Sequence, residues 1–459
     1  MLNQTLDVKD KDVVVLGLGR SGMAAATLLQ RDGARVVVRD EGDNATLAGR
    51  ASQLRELGVR VELGSHFDLA KRFDLAVLSP GIAPERPIVR EIVGNQTPML
   101  SELELAYRFC LCPITAITGT NGKTTTTELI TTMLERCGKR AMSAGNIGNA
   151  LSDAIEGSAG LDALVVEVSS FQLETIEQFR PHAAVMMNVT PDHLDRYPSM
   201  MEYARAKGRI FQNQTSKDVA VVSAEALEWM CKAGCPIRTR TITFSAYGSH
   251  AELWLDQKDK QTIWCSLPGC QGILLKMDET NLRGVHNAEN IMATLAVGFA
   301  LDLPITRMLD AVASYCPQPH RCEFVASVKG VTYINDSKGT NTDAVAKALQ
   351  SMPGPVVLIA GGRDKGLDYS IIKEVVAHKV KLVLAIGEAR EKICEAWKNA
   401  ATCIRVATME EAVRVAAAAT RPGDTVLLSP ACASFDMFKN YEHRGEEFKR
   451  EVFSLPNVS

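Results

Sequence analysis

PITAITGTNGKTTTTELITTMLERCG, residues 113–138, decides the fold. An apolar β-branched run leads into a glycine loop, and the loop opens directly into a helical pattern that ends near Gly138. Such a strand-loop-helix unit points backbone N–H groups at phosphate oxygens, and the helix dipole favours negative charge at the same place. Within the loop Gly119, Thr120, Asn121, Gly122, Lys123, Thr124 and the following Thr125, the lysine neutralises terminal phosphate charge and the Thr124 hydroxyl reaches a Mg²⁺ ion. The general phosphate-loop pattern carries a glycine five residues before Gly122. Ile117 stands there, the first glycine is Gly119, and the loop is two residues shorter.

Further along, DALVVEVSS reads as a buried strand ending at Glu167, where a second contact to a magnesium ion is commonly supplied. HAAVMMNVTPDHLDRYPS is another strand, running into a loop that carries His193. MEYARAKGRI is helical, and Lys207 within it reads, by itself, as a surface lysine. Between residues 217 and 284 the runs TRTITFSAYG, ELWLDQ, QTIWCSL and GILLKM alternate between turn residues. They predict a small antiparallel sheet attached to the α/β core.

Two further segments flank this one. DVVVLGLGRSG, residues 12–22, places Gly17-x-Gly19-x-x-Gly22 between a strand and a helix, and the next strand ends at Asp40. That is a dinucleotide-type fingerprint. It states that a phosphate can approach a helix N-terminus; NAD with Asp40 on its ribose and a UDP group both fit. A third strand ends in the turn Ser79-Pro80-Gly81. At the other end of the chain GVTYINDS, PVVLIAGGRDKG, VKLVLAIGEAR and DTVLLSPACASFD alternate with helical stretches, which argues a second parallel, doubly wound sheet. Ligands of such sheets sit beyond the carboxyl ends of the strands, so Asp336, Lys365 and Ser434 are the places to look.

A net charge of −3 and the lack of a basic run argue against a nucleic-acid partner. No apolar stretch approaches the ~20 residues needed to span a bilayer, and the polar start MLNQTLDVKDKD has no apolar core of a secretory signal. A cytoplasmic protein without membrane insertion is expected. The twelve cysteines are scattered, as reduced thiols are. A four-thiolate zinc site from Cys231, Cys235, Cys265 and Cys270 is the weaker alternative.

Taken in order, GTNGKTTT, EVSSFQLE, NVTPDHLDRY, YARAK, GVHNAEN, PHRCE, INDSKGTN and SPACASFDMFKNYEHRGEEF resemble the Mur ligases, the ATP-dependent amino-acid ligases of peptidoglycan precursor synthesis. The resemblance covers essentially the whole chain. GLGRSG and the C-terminal block look most like the member that adds D-glutamate to UDP-N-acetylmuramoyl-L-alanine, and the DNPR sequence of the diaminopimelate-adding relative is missing. It implies an α/β protein of three domains: a Rossmann-like domain over 1–110 for the UDP-sugar, a central P-loop ATPase-like α/β domain with a small antiparallel sheet over 111–317, and a Rossmann-like amino-acid-binding domain over 318–459. It further implies ATP and two Mg²⁺ ions, an acyl-phosphate route, and a monomer.

The residue roles that follow are those the resemblance implies. Lys123, Glu167, His193 and Lys207 are catalytic; Thr124 and Glu167 hold the first metal, with His193 and a carbamylated Lys207 on the second, which replaces the surface reading of that lysine. Asn287 and Asn290 lie near the adenine, while Arg321 and Asp336 reach ATP from the third domain. Gly19, Arg20, Ser21, Asp40, Gly81, Asn146 and Ser169 face the UDP-sugar. Thr340, Lys365, Ser434, Phe435 and Tyr441 face D-glutamate. An NAD-dependent oxidoreductase would leave Lys123 and the third segment unexplained. A motor-like NTP-binding module would release phosphate from ATP alone. The folate polyglutamate-adding ligase shares the central loop but not the N-terminal domain or the C-terminal block.

Overall fold

The computed structural model describes residues 6–64, 72–80, 82, 86–146, 149–191, 196–248, 250–316, 319–352 and 354–456. The chain divides into two compact units, residues 1–315 and 316–459, and the first of these holds two sheets.

The first sheet comprises β1 (Asp12–Leu16), β2 (Arg35–Asp40), β3 (Arg60–Leu63), β4 (Leu75–Leu78) and β5 (Met99–Ser101) in the order β3-β2-β1-β4-β5. Every pairing is parallel, and the strand order reverses between β1 and β4. Val13, Val14, Val15 and Leu16 are fully buried, because helices cover both faces of a parallel sheet and leave no solvent side.

The second sheet has nine strands: β6 (Ile114–Thr118), β7 (Ala141–Gly145), β8 (Ala163–Glu167), β9 (Ala183–Met186), β10 (Val219–Ser223), β11 (Arg240–Ser245), β12 (Leu253–Leu255), β13 (Thr262–Cys265) and β14 (Gly272–Lys276). Their order is β14-β13-β12-β11-β10-β9-β6-β8-β7. The runs read as a small antiparallel sheet attached to the core form the mixed edge of this one, antiparallel from β12 to β14. β11 lies parallel to β10 and β12 parallel to β11; only β12, β13 and β14 pair antiparallel. The helix Ala224–Lys232 between β10 and β11 makes the parallel return possible, since such a return needs a crossover. Alternation in these runs reports the half-exposed edge, not a new layer.

The helix Val285–Ala300 lies under this sheet, buried from Ala288 through Gly298. It shares a core with Leu129, Ile130 and Met133 of the helix Lys123–Arg136 and with Met308. A Cβ at Gly298 would meet Met308 at 2.6 Å, so the missing side chain sets how closely the next helix packs.

In the unit 316–459, β15 (Glu323–Val328), β16 (Val331–Asn335), β17 (Val356–Gly361), β18 (Val380–Ile386), β19 (Thr402–Arg405) and β20 (Thr425–Leu428) form the order β15-β16-β20-β17-β18-β19. The sheet is parallel except at β15, which pairs antiparallel with β16. Lys329 and Gly330 join these two strands with φ of 51° and 77°, the left-handed pair that a two-residue hairpin turn requires. With β15 counted, the all-parallel reading of this segment becomes a parallel sheet with one antiparallel edge.

One ionic clamp ties the first two sheets together. Glu104, in the helix Glu102–Phe109 that follows β5, is fully buried. Its carboxylate accepts the backbone N–H groups of Glu177, Gln178 and Phe179 at 2.9–3.1 Å and pairs with Arg108 at 3.0 Å. Removing the carboxylate orphans three backbone donors and leaves Arg108 with Glu177 alone, a loss of about 3–5 kcal/mol. Glu104→Ala is therefore expected to lower the apparent Tm in calorimetry, and Glu104→Gln, which keeps one acceptor, to lower it less.

Candidate active site

The loop 119–124 leaves β6 in the middle of the nine-stranded sheet, at the carboxyl end of the strand, where parallel sheets place their ligands. Two glycines give it its shape. Gly122 sits in the left-handed region at φ 82°, and a Cβ there would come within 2.4 Å of Asn290 Oδ1. Gly119 has φ 147°, with Met187 Cβ 2.7 Å from where its own would be. No side chain caps the helix Lys123–Arg136, whose first amides have no carbonyl partner within the helix.

Asn188, one residue beyond the Met187 that backs Gly119, holds the near side of the loop. Its Oδ1 accepts the N–H groups of Thr120 at 3.1 Å and Asn121 at 2.8 Å, and its Nδ2 donates to Asn121 O at 3.3 Å. Thr120 and Asn121 thus shape the loop through Asn188, while the uncapped helix start offers the anion-facing amides. Nothing in the sequence reading assigned Asn188 a role. The signal was available, because it follows the strand next to β6 and so lies at the same sheet edge.

Five predicted residues meet at this loop. Thr124 Oγ1 donates to Glu167 Oε2 at 2.7 Å, and Asn146 Nδ2 donates to Glu167 Oε1 at 3.0 Å. Glu167 itself is buried. Lys123 Nζ donates to the carbonyls of Gly119 at 3.0 Å and Thr120 at 2.8 Å. Lys207 is only 2% exposed, which excludes the surface reading, and its Nζ donates to the same Gly119 carbonyl at 2.8 Å. Two ammonium groups therefore converge on one carbonyl oxygen. The ring of Tyr203 lies 4.6 Å from Lys207 Nζ, and its hydroxyl contacts Thr120 Oγ1 at 3.3 Å. His193 and Gly81 lie outside the described residues.

Asn287 and Asn290 are a bonded pair: Asn290 Nδ2 donates to Asn287 Oδ1 at 3.0 Å, and Asn290 Oδ1 accepts from Thr126 Oγ1 at 3.2 Å. Beside them Glu289 is buried, and its carboxyl is pushed up to about 8, first by burial and then by Glu225. Glu225 accepts a hydrogen bond from Ser245 Oγ at 2.6 Å.

In the first sheet, Gly17 and Gly22 touch: a Cβ on Gly22 would fall 1.9 Å from Gly17 O. Asp40 is committed to the same loop, accepting Leu18 N–H at 2.7 Å and Gly42 N–H at 2.8 Å. Gly19 leads the helix Arg20–Arg31 with no side-chain cap; Arg20 is exposed and Ser21 half-buried. A cleft nearby is lined by Leu78, Ser79, Ile82, Phe171, Gln172 and Arg196. Arg196 stacks 4.2 Å over Phe171 and pairs with Glu174 at 2.6 Å. Ser169 caps the short helix there through reciprocal bonds with Gln172.

The unit 316–459 has its own cluster at the strand ends. Asp336 is buried, accepts Ser429 Oγ at 2.6 Å and Cys322 N–H at 3.2 Å, and has its carboxyl pushed up to about 6 by burial. Arg321 is exposed, and its charge acts to lower that same carboxyl. Lys365 Nζ donates to Thr340 O at 3.1 Å, which joins two residues predicted at the amino acid. Ser434 is buried while Phe435 is 60% exposed. Tyr441 offers its carbonyl to Ser337 Oγ at 2.8 Å. Beneath this loop the buried Arg444 donates to the carbonyls of Ser337, Cys432 and Ala433 at 2.8–3.3 Å, a support that the sequence reading missed.

An uncapped phosphate-type loop, one buried and one half-buried lysine on one carbonyl and a carboxylate on the threonine hydroxyl define an ATP-dependent ligase of the Mur class, and comparison agrees throughout the chain. Residues 11–101 match the Mur ligase MurD-like N-terminal domain, 117–298 the Mur ligase middle domain, and 320–432 the Mur ligase glutamate ligase domain. The protein belongs to the Mur ligase family. It is 41% identical to the UDP-N-acetylmuramoylalanine--D-glutamate ligase of Geotalea uraniireducens, over 98% of this chain and 99% of the relative. It is 42% identical to the ligase of the same name from Pelotomaculum thermopropionicum, over 98% and 99%. Among solved structures, its fold is similar to a pseudomurein peptide ligase type C from Methanothermus fervidus, with TM-score 0.52 and 18% identity over 97% of this chain and 100% of that one. It is also similar to UDP-N-acetylmuramate-alanine ligase from Thermotoga maritima, with TM-score 0.51 and 19% identity over 97% and 99%.

Two measurements check this geometry. Asn188→Ala removes the side-chain acceptor of Asn121 N–H and leaves Thr120 N–H only the Asn188 carbonyl, and a buried amide left without its acceptor costs about 1–3 kcal/mol. The Kd for ATP in calorimetry is expected to rise on the order of ten- to a hundredfold. Glu289 tests the burial of its carboxyl. Its folded value lies above the unfolded one, so its contribution to stability is complete below pH about 4.5 and is lost as pH rises through about 8. Thermal melts of Glu289→Gln are expected to show a flatter decline across that window than the parent.

Proposed function

We propose that this chain joins D-glutamate to UDP-N-acetylmuramoyl-L-alanine, converts ATP to ADP and phosphate, and passes through an acyl phosphate. The observation that carries the reading is full-length similarity to ligases of that name, in a chain whose loop keeps Lys123, Thr124 and Glu167 together.

The chemistry explains why such a loop is needed. A carboxylate is a poor acyl donor because its leaving group would be oxide, and phosphorylation supplies a better one. Attack of the D-glutamate amine on the acyl phosphate gives a tetrahedral intermediate, which collapses to the amide and phosphate. Bringing a carboxylate to the γ-phosphate places two anions side by side, so positioning and charge neutralisation carry most of the work. Lys123 leaves its two loop carbonyls for the phosphates, which the amides at the helix start also meet; Gly119 to Asn121, Thr125, Asn287 and Asn290 hold that cradle and the base above it.

Thr124 and Glu167 present hard oxygen donors 2.7 Å apart. Among the described residues no three His, Cys, Asp or Glu side chains converge as a metal cage. That suits Mg²⁺, which is commonly held by one or two carboxylates together with substrate phosphates and water. When bound, the ion neutralises phosphate charge and orients the transferred group. Lys207 fits the second metal position as a carbamate: the modification replaces a buried cation next to Lys123 with an anion, alongside His193.

For the UDP-sugar we assign Gly19, Arg20 and Ser21 at an uncapped helix start, with Asp40 fixing that loop and Gly81, Asn146 and Ser169 toward the sugar. Arg321 and Asp336 serve ATP, and Thr340, Lys365, Ser434, Phe435 and Tyr441 serve D-glutamate. No helix among the described residues is long and apolar enough to cross a membrane; we place the protein in the cytoplasm, as a monomer.

Phosphate release measured with ATP, UDP-N-acetylmuramoyl-L-alanine and one amino acid at a time tests the reading. Release is expected with D-glutamate and not when any one substrate is omitted; release with L-glutamate or lysine alone would overturn it. Lys207→Ala is expected to lower kcat by at least a hundredfold, with partial recovery on adding a short-chain carboxylic acid.

A further inference from the structure

Outside the machinery described above, two thiols stand in contact. Cys110 ends the helix Glu102–Phe109 and Cys112 precedes β6, so both lie on the connection between the two sheets of the unit 1–315. Their sulfurs are 3.8 Å apart. Cys110 is 3% exposed, whereas Cys112 is half-buried and open to solvent on one side. The backbone around them is held: Cys110 N–H donates to Tyr107 O at 3.1 Å, and Leu111 N–H donates to Ser158 Oγ at 3.2 Å.

We propose that Cys110 and Cys112 form a two-thiolate site for a soft, two-coordinate monovalent cation, with Cu(I) as the representative ion. Soft thiolates select such ions over hard ones. With a metal–sulfur bond of about 2.3 Å, a near-linear S–M–S unit needs its sulfurs about 4.6 Å apart. The pair has to open by about 0.8 Å. A disulfide, at about 2 Å, would instead demand a closure of about 1.8 Å across a backbone held at Cys110 and Leu111. The geometry therefore favours capture of an ion over oxidation. Binding releases two protons: two R–SH and Cu⁺ give [Cu(SR)₂]⁻ and 2 H⁺.

Other contacts show why this pair is singled out. Contact within the pair splits the two thiols, holding Cys110 below its ordinary range and pushing Cys112 above it, so one thiolate is favoured and the metal has to displace the second proton. Cys394 and Cys403 also touch, but burial pushes both thiols up, Cys403 to about 11. They serve as an internal control.

The experiment titrates the intact, reduced protein with Cu(I) against a chromophoric Cu(I) chelator, without oxygen. The parent is expected to hold one more tightly bound equivalent than Cys112→Ser or Cys110→Ser, whose affinity for it falls at least a hundredfold. Maleimide labelling followed by peptide mass spectrometry is expected to show Cys110 and Cys112 protected together by Cu(I), with Cys394 and Cys403 labelled as before. X-ray absorption of the one-equivalent complex is expected to give two sulfur neighbours. Unchanged stoichiometry in both variants, or labelling of one thiol of the pair while copper is bound, overturns the proposal. So does loss of two hydrogens from the 110–112 peptide with no copper uptake, which would assign the pair to oxidation. The melting temperature of each variant, compared with the parent, separates loss of the site from loss of the fold.

Discussion

The constraint on which the central loop depends is the approach of Gly122 to Asn290. A left-handed turn with no Cβ brings the loop against a side chain of the helix Val285–Ala300, and that side chain is in turn fixed by Thr126 and Asn287. The helix is buried along most of its length and packs between the helix Lys123–Arg136 and the sheet. The shape of an exposed loop is thereby set by a core helix. Small errors in packing that core would be transmitted to the phosphate-facing amides, because interiors at crystal-like density have little room to relax.

The same logic runs through the other loops. Gly22 rests on Gly17 O, and Asp40 spends both carboxylate oxygens on backbone amides of the first sheet's turns. In the unit 316–459, Arg444 holds three carbonyls under the strand-end loop. In each case close packing or a polar side chain fixes the backbone of a strand-end loop. A rigid scaffold with loops that cannot drift suits chemistry in which placement supplies most of the rate.

What could be read from the sequence follows from how local each signal is. The strands at residues 12–16, 114–118 and 163–167, and the loop between them and their helices, announce themselves through continuous apolar runs broken by glycine. The partners of β11 could not be read in that way, because the same alternation fits a free antiparallel sheet and the exposed edge of a large parallel one. Only the crossover helix before it decides the matter. β15 was missed because a short strand with Phe324 exposed carries too little apolar signal. Lys207 shows the limit most sharply: in a polar helical run it reads as surface, and only long-range packing buries it beside Gly119. Asn188 and Arg444 act through contacts with residues 67 and 107 positions away, beyond any local pattern.

The carbonyl of Gly119 has one more implication. Lys123 donates to it and to Thr120 O, so the loop's own backbone competes with an anion for that lysine. An incoming anion is held only by the margin by which it outbids a neutral oxygen. A lone inorganic ion without the anchoring base gains little of that margin, whereas a full nucleotide gains it at several points at once. That competition weights the loop toward a ligand that arrives tethered at several points over a small anion that arrives alone.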